Sequence, residues 1–104
     1  MYTVVYELYR KEGISREEFA RHWVEVHGPL AAQLPRVRSY RICPVTSAVD
    51  ALGREVDGFA ILDFDSVEDF QAAAASPEMA AAGEDAAQFA GHFAVYMVEA
   101  HTVV

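Results

Sequence analysis

Four apolar stretches alternate with helix-like regions, and this order restricts the folds open to the chain more than any other feature. The stretches are rich in Val, Ile, Tyr and Phe, which favour strands. They cover Tyr2–Tyr9, Val37–Val45, Val56–Asp65 and Phe93–Val104. Helical regions follow the first and third stretches, so the predicted order is β-α-β-β-α-β, an α+β, ferredoxin-like fold with a four-stranded antiparallel sheet. We expect residues 1–104 to form a single domain, because no linker or repeat divides them.

Serine residues mark the predicted helix starts. Ser15 is followed three residues later by Glu18, which is the spacing of a capping box, so a helix is predicted to start at Arg16. Ser66, followed by Asp69, and Ser76, followed by Pro77 and Glu78, predict two later helical segments. The first helix should bury apolar residues at helical spacing and bend near Pro29, which lacks a backbone donor. The residues expected in its buried stripe are Phe19, Trp23, Val26, Leu30 and Leu34.

The strands carry apolar residues on both faces, which fits the 53% of hydrophobic residues in the chain. Helices from the same chain can cover only one face of a four-stranded sheet. The other face needs a different cover, and a second copy of the chain is the simplest one. The pattern therefore predicts a homodimer that packs sheet against sheet.

The charge and cysteine content exclude several classes of partner. Sixteen acidic residues against eight basic ones give a net charge of -8, which disfavours nucleic acid and anionic membranes as partners. No apolar run is long enough to span a bilayer, and no basic leader precedes the first strand. Cys43 is the only cysteine and cannot form an internal disulfide. We therefore expect a cytoplasmic protein.

Two histidines on the first helix are candidates for chemistry. On a regular α-helix, His22 and His27 are separated by about 140° around the axis, so they should not form a helix-borne metal pair. His27 falls at the margin of the buried stripe and His22 on a partly exposed side. An imidazole at the margin of a pocket can exchange a proton near pH 7, or it can bond to backbone groups and stabilise the bend at Pro29. The residues alone leave both interpretations open.

The segment from Phe19 to Leu30, FARHWVEVHGPL, resembles the signature of the EthD family in the dimeric α+β barrel superfamily. Weaker matches in the same order are Arg38-Ser39-Tyr40, Asp57-Gly58-Phe59-Ala60, Phe64-Asp65-Ser66 and the segment Glu99 to Val103. The resemblance covers essentially the whole chain. It implies a homodimer whose two sheets form a barrel, with a pocket between sheet and helices in each subunit. It also implies chemistry that needs no metal or organic cofactor.

The resemblance extends to individual site residues. In the methylmuconolactone isomerases of this family, the residues matching His27 and Tyr40 face the substrate, so these two are predicted to be catalytic. Trp23, Asp57 and His22 are predicted to contact a ligand. The simpler interpretation of Trp23 is a core anchor, and the alternatives for Asp57 are a bond that orients His27 and, more often for an acid next to a glycine at a strand start, a structural role. The isomerases carry a reactive cysteine on the third strand, where this chain has Phe59, Ile61, Leu62 and Asp63. This difference argues against that particular isomerisation.

Two functions follow as hypotheses. The first is a cofactor-free enzyme that moves protons on a small apolar oxygenated compound, such as a lactone or a phenolic intermediate. The second is a non-catalytic carrier or accessory protein that binds a small hydrophobic ligand in the same pocket. A dimer with no open cavity is a third alternative.

Overall fold

The order of strands and helices agrees with the sequence-based prediction. A computed structural model describes residues 1–104, and it contains four strands and four α-helices, with a π-helical turn between the first two helices. In chain order the elements are β1 Tyr2–Arg10, α1 Arg16–His22, the π turn Trp23–His27, α2 Gly28–Ala31, β2 Ser39–Pro44, β3 Gly58–Phe64, α3 Val67–Ala74, α4 Pro77–Ala86 and β4 Ala90–Glu99.

The four strands form one antiparallel sheet in the order β2-β3-β1-β4. In its register Val4 is opposite Leu62 and Met97, while Thr3 is opposite Asp63 and Val98. Neighbouring residues of a strand point to opposite sides. The sheet therefore has a helix-facing side, which contains Val4, and an open side, which contains Thr3.

The core lies between the helices and the helix-facing side of the sheet. Trp23, Phe64 and Val4 have no exposed surface, and Phe19 and Phe89 are also fully buried. The indole of Trp23 packs so closely on Gly58 that a Cβ atom at residue 58 would overlap its ring. A glycine at the start of β3 is therefore needed for Trp23 and its π turn to pack against the sheet.

The predicted serine caps are confirmed. The backbone N–H of Glu18 donates to Ser15 Oγ at 3.1 Å, and the equivalent bonds to Ser66 and Ser76 are both 3.2 Å. Each bond satisfies a donor that has no partner inside its helix. These caps depend only on neighbouring residues, which is why the sequence predicts them.

The last strand is shorter than predicted. β4 ends at Glu99, whereas the apolar pattern predicts a strand that continues to Val104. Glu99 is opposite Tyr2, the first residue of β1, so the strand has no neighbour to pair with beyond this point. One further bond, from the N–H of Ala100 to the carbonyl of Met1 at 3.1 Å, closes the ladder. None of the helices has the length and hydrophobicity needed to cross a membrane.

Candidate functional site

The π turn sets the geometry of the site. The N–H of Gly28 donates to the carbonyl of Trp23, five residues earlier, instead of the usual four. The next residue, Pro29, has no N–H to donate. The irregularity expected near Pro29 therefore takes the form of a wider turn that accommodates one more residue than an α-helical turn.

This wider turn changes which residues face the core. His27, Ala31 and Leu34 are buried, whereas Val26 is 48% exposed and Leu30 is 39% exposed. The prediction that Val26 and Leu30 belong to the buried stripe is therefore wrong. It assumed an unbroken α-helical period, and the extra residue of the π turn shifts the inward face beyond Trp23.

The same turn brings the two histidines together. The expectation that His22 and His27 lie apart is also wrong, because five residues complete about one turn of a π-helix. His22 Nε2 lies 2.9 Å from Oδ1 and 3.1 Å from Oδ2 of Asp85, and His27 Nδ1 lies 3.0 Å from Oδ2 of the same carboxylate. We call these three residues the His–Asp–His cluster.

Asp85 orients both rings. A carboxylate only accepts hydrogen bonds, so the ring nitrogens that face it carry the hydrogens. In a neutral ring the opposite nitrogen, Nδ1 of His22 or Nε2 of His27, is then an acceptor. Neither of these two nitrogens bonds to another residue, and no fully buried side-chain nitrogen or oxygen lacks a partner. Both are therefore accessible, at least in part, for proton exchange.

The two rings differ in their exposure, and burial affects the charge of His27. The side chain of His27 is 11% exposed and that of His22 is 30% exposed. Burial lowers the pKa of His27, and although Asp85 raises it, the net direction is down. Because the usual value is about 6.5, His27 is neutral at pH 7. The negative charge of Asp85 thus remains available to stabilise a positive charge on His22.

Phe89 forms the apolar support of the cluster. It is 1% exposed, and its ring centre lies 4.9 Å from that of His22 and 5.2 Å from that of His27. An apolar surface beside the carboxylate strengthens its electrostatic interaction with the imidazoles. The cluster is therefore attached to the core at the point where α4 leads into β4.

Of the predicted ligand contacts, His22 borders an open cleft. This cleft has a volume of about 230 Å³ and is lined by Ile14, Glu18, Arg21, His22, Glu25, Val26, Gln88 and Phe89. A second cleft of about 240 Å³ includes Asp57 and lies along the opposite flank of α1. Neither cleft is lined by His27 or Tyr40.

Tyr40 is on the helix-facing side of β2, opposite Leu62. Burial raises the pKa of Tyr40 to about 12, a contact with Trp23 partly offsets this effect, and Tyr6 adds to it. The phenol is therefore protonated at neutral pH and can act only as a hydrogen-bond donor or neutral acceptor. No hydrogen bond joins it to the His–Asp–His cluster.

Trp23 and Asp57 have structural contacts. The fully buried ring of Trp23 is packed on Gly58. Asp57 accepts a hydrogen bond of 2.8 Å from the backbone N–H of Arg10, and the side chains of Arg10 and Arg16 are each 3.8 Å from its Oδ1. Asp57 thus ties β1 to the start of α1, and Asp85 is the residue that bonds to His27.

No pattern in the sequence identifies Asp85 as the partner of His27. Asp85 lies 58 residues from His27, in an alanine-rich segment, and no short-range motif connects the two. One signal was present: Asp85 occupies the last turn of α4, where the helix dipole disfavours a negative charge. An acid in this position needs a compensating partner, and the two imidazoles provide it.

No group of three or more histidine, cysteine, aspartate or glutamate side chains is arranged to hold a metal ion. In the His–Asp–His cluster, one nitrogen of each imidazole bonds to the carboxylate of Asp85. The arrangement is suited to transfer protons between a ligand and a carboxylate-supported imidazole.

Solved structures share this fold at low sequence identity. An EthD family protein from Bacillus halodurans C-125 is 23% identical, with a TM-score of 0.78, and the match covers 97% of this chain and 100% of that one. A dimeric ferredoxin-like protein of unknown function from Bacteroides fragilis is 17% identical, with a TM-score of 0.72 and 94% coverage of both chains. A dimeric ferredoxin-like protein of unknown function from Thermobifida fusca is 13% identical, with a TM-score of 0.75, and the match covers 93% of this chain and 88% of that one.

These likenesses establish the ferredoxin-like fold. No curated protein matches the sequence significantly. The model of the EthD domain matches residues 11–92, which include α1, the π turn, both histidines and Asp85. The chain therefore belongs to the EthD domain family.

Proposed function

We propose that the protein is a cofactor-free enzyme that transfers protons on a small, mostly apolar oxygenated compound, such as a lactone or a phenolic intermediate. The observation that carries this proposal is the shared carboxylate of Asp85, which binds Nε2 of His22 and Nδ1 of His27 within 3.1 Å. A carboxylate that holds an imidazole in one tautomer, and stabilises its protonated form, is the support that a general base requires.

His27, which the family resemblance assigns to proton transfer, is one half of this unit. Its low exposure and lowered pKa favour a neutral ring that keeps Asp85 in place. Tyr40 is the proposed second group, because a phenol that stays protonated can donate to an oxygen that gains negative charge during enolisation.

The carrier hypothesis has less support from the geometry. That hypothesis predicts a pocket lined only by apolar groups and hydrogen bonds from His27 to backbone groups. Instead, the bond of His27 is to a side-chain carboxylate, and both clefts contain charged residues.

A homodimer through the open sides of two sheets is part of the proposal. β4 leaves large apolar side chains exposed, among them Tyr96 at 49% and Val98 at 41%. Contiguous apolar surface of this kind usually marks an interface. The Bacteroides and Thermobifida proteins are described as dimeric, which supports a homodimer but does not identify its interface.

The test is hydrogen exchange on carbon. The protein is incubated in D2O with acetophenone, 2-coumaranone and resorcinol, and loss of their exchangeable C–H signals is followed by proton NMR. Wild type should accelerate exchange of at least one compound over buffer, and Asp85→Asn should reduce this acceleration by about 100-fold, the usual scale of general acid–base catalysis.

Two further variants complete the design. His22→Gln is measured alongside Asp85→Asn in case the latter does not fold. His101→Gln is the matched control, because His101 is 75% exposed and its ion-pair partner is Glu99; this variant should retain the wild-type rate. Exchange at the buffer rate for all three compounds, or an undiminished rate in both cluster variants, contradicts the proposal.

A further inference from the structure

The cleft beside His22 connects the His–Asp–His cluster with an open space. Its volume of about 230 Å³ equals the liquid volume of about eight water molecules. Sites for drug-sized ligands begin at about 300 Å³. The cleft therefore has room for one compound with a single ring.

Both apolar and charged side chains line this cleft. Phe89, Ile14 and Val26 are its apolar members, and the first two also contact the core. The edge of Phe89 supports both the cleft and the imidazoles of the cluster. A ring placed against these side chains lies beside the more exposed histidine, His22.

The charges around the cleft disfavour an anionic ligand. Its rim carries two carboxylates, Glu18 and Glu25, and one guanidinium, Arg21. Arg21 is three residues from Glu18 and four from Glu25, so on α1 and the π turn it lies near both of them. Asp85, behind His22, adds a further negative charge, and the whole chain has a net charge of -8. An anionic ligand would be repelled on balance.

We infer that this cleft is the binding site of the substrate, that the substrate is an uncharged single-ring carbonyl or phenolic compound, and that His22 is the imidazole in contact with it. This inference rests on the proposed proton-transfer function and assigns that function to the cleft beside His22. With a carbonyl compound, Nδ1 of His22 accepts the proton from the carbon next to the carbonyl group, and the electron pair moves onto the carbonyl oxygen. With a phenol, Nδ1 accepts the O–H proton, and the electron pair moves onto a ring carbon. The imidazolium that results is stabilised by Asp85, and the proton returns from Nδ1 to carbon. His27 then acts as a positioning residue.

A pair of matched probes tests the site. Acetophenone and benzoate each have nine non-hydrogen atoms and one aromatic ring, but only benzoate is charged at pH 7. Binding is followed by the amide NMR shifts of Ile14, Arg21, Gln88 and Phe89. Acetophenone should shift these signals with a Kd on the order of millimolar, as expected for so small a ligand. Benzoate should bind at least about tenfold more weakly.

Variants of the π turn provide the controls. Val26→Trp fills the cleft and should weaken acetophenone binding at least tenfold. Val24→Trp is the matched control, since Val24 is 52% exposed on the same turn and does not line the cleft; it should leave the Kd unchanged within about twofold. Glu25→Gln removes one negative charge from the rim of the cleft. It should therefore reduce the ratio of the Kd of benzoate to the Kd of acetophenone.

The outcomes separate this inference from the proposed function. Binding in the cleft without C–H exchange supports the site and removes the enzymatic role. C–H exchange that persists unchanged in Val26→Trp supports the enzymatic role and overturns the site. Equal affinity for benzoate and acetophenone, or no shift of the cleft amides by acetophenone at tens of millimolar, also overturns the inference.

Discussion

Strands β3 and β4 both pair antiparallel with β1 and both are rich in apolar residues, yet their side chains have opposite surroundings. In β3, Gly58, Ala60, Leu62 and Phe64 alternate as buried positions beneath the helices. In β4 no residue is fully buried, and Phe93 is 60% exposed. The residue types are similar, so the difference comes from position in the sheet. The helices of the same chain cover one side of β3, whereas they leave the side chains of β4 exposed.

The largest effect is expected from a side chain added to β3. A Cβ at residue 58 would overlap Cζ3 of Trp23 and lie 3.1 Å from the carbonyl oxygen of Cys43. Gly58→Val should lower the free energy of unfolding by about 3 kcal/mol, because Trp23 has no free space into which to move. Urea denaturation at a fixed chain concentration measures this change.

The matched control is Gly83→Ala in α4. Nothing lies within 4 Å of a Cβ at residue 83, so this substitution should stabilise the helix by up to about 1 kcal/mol. If Gly58→Val is tolerated as well as Gly83→Ala, the close packing of Trp23 on β3 is not what stabilises the covered side.

A charge on β4 should affect association more than folding. Val98 is opposite Thr3 on the open side, and Asp at this position would place an unpaired carboxylate in the proposed interface. Val98→Asp should weaken dimerisation by about 100-fold, which corresponds to about 2.7 kcal/mol. Analytical ultracentrifugation across a dilution series measures the dissociation constant.

Val24→Asp is the control for this substitution. Val24 is 52% exposed but belongs to the helical layer, so its replacement should leave the dissociation constant unchanged. Equal weakening by both variants would place the interface on the helices, and no weakening by Val98→Asp would remove the open side of β4 from it.

The smallest effect concerns two tyrosines whose pKa values are raised for different reasons. Burial raises the pKa of Tyr40, on the helix-facing side, to about 12. On the open side, the nearby carboxylate of Glu7 is the main cause that raises the pKa of Tyr96. Glu7→Gln removes the negative charge, so the pKa of Tyr96 should fall towards its usual value of about 10, while that of Tyr40 should not change.

Titration of the tyrosine Cζ signals by carbon NMR distinguishes the two. The direction of the pKa change follows from charge. Ionisation of Tyr96 next to a carboxylate creates two neighbouring negative charges, whereas a neutral glutamine does not oppose this ionisation. A Tyr96 titration that is identical in wild type and Glu7→Gln would show that Glu7 does not control this side of the sheet.

The fold was predictable because its signals are local. Serine caps, strand-forming stretches and turns lie within a few residues of the structure that they determine, and the three caps at Ser15, Ser66 and Ser76 form as expected. The site was predictable only in part. His27 follows from the family resemblance, whereas its partner Asp85 depends on how α4 packs against the π turn, and no local pattern encodes that contact.

The errors at Val26 and Leu30 have one common cause. An apolar stripe at 100° per residue is correct for Phe19 and Trp23 and fails at Val26 and Leu30, because the π turn contains one residue more than the period allows. Leu34, beyond the end of α2, is buried as predicted. Gly28 and Pro29 indicated an irregularity, but they did not specify whether the backbone would bend or widen.

A π turn is equivalent to an α-helix with a single residue inserted, so it aligns residues five apart in the way that an α-helix aligns residues four apart. Deletion of Val24 would leave His22 and His27 four residues apart, about 40° around a regular α-helix, so both rings should still reach Asp85. A return to the α-helical period without a deletion would instead place His27 about 140° from His22 and separate it from Asp85, even though no residue of the His–Asp–His cluster had been changed. Relatives with one residue fewer in this segment should therefore keep the same site on an unbroken α-helix.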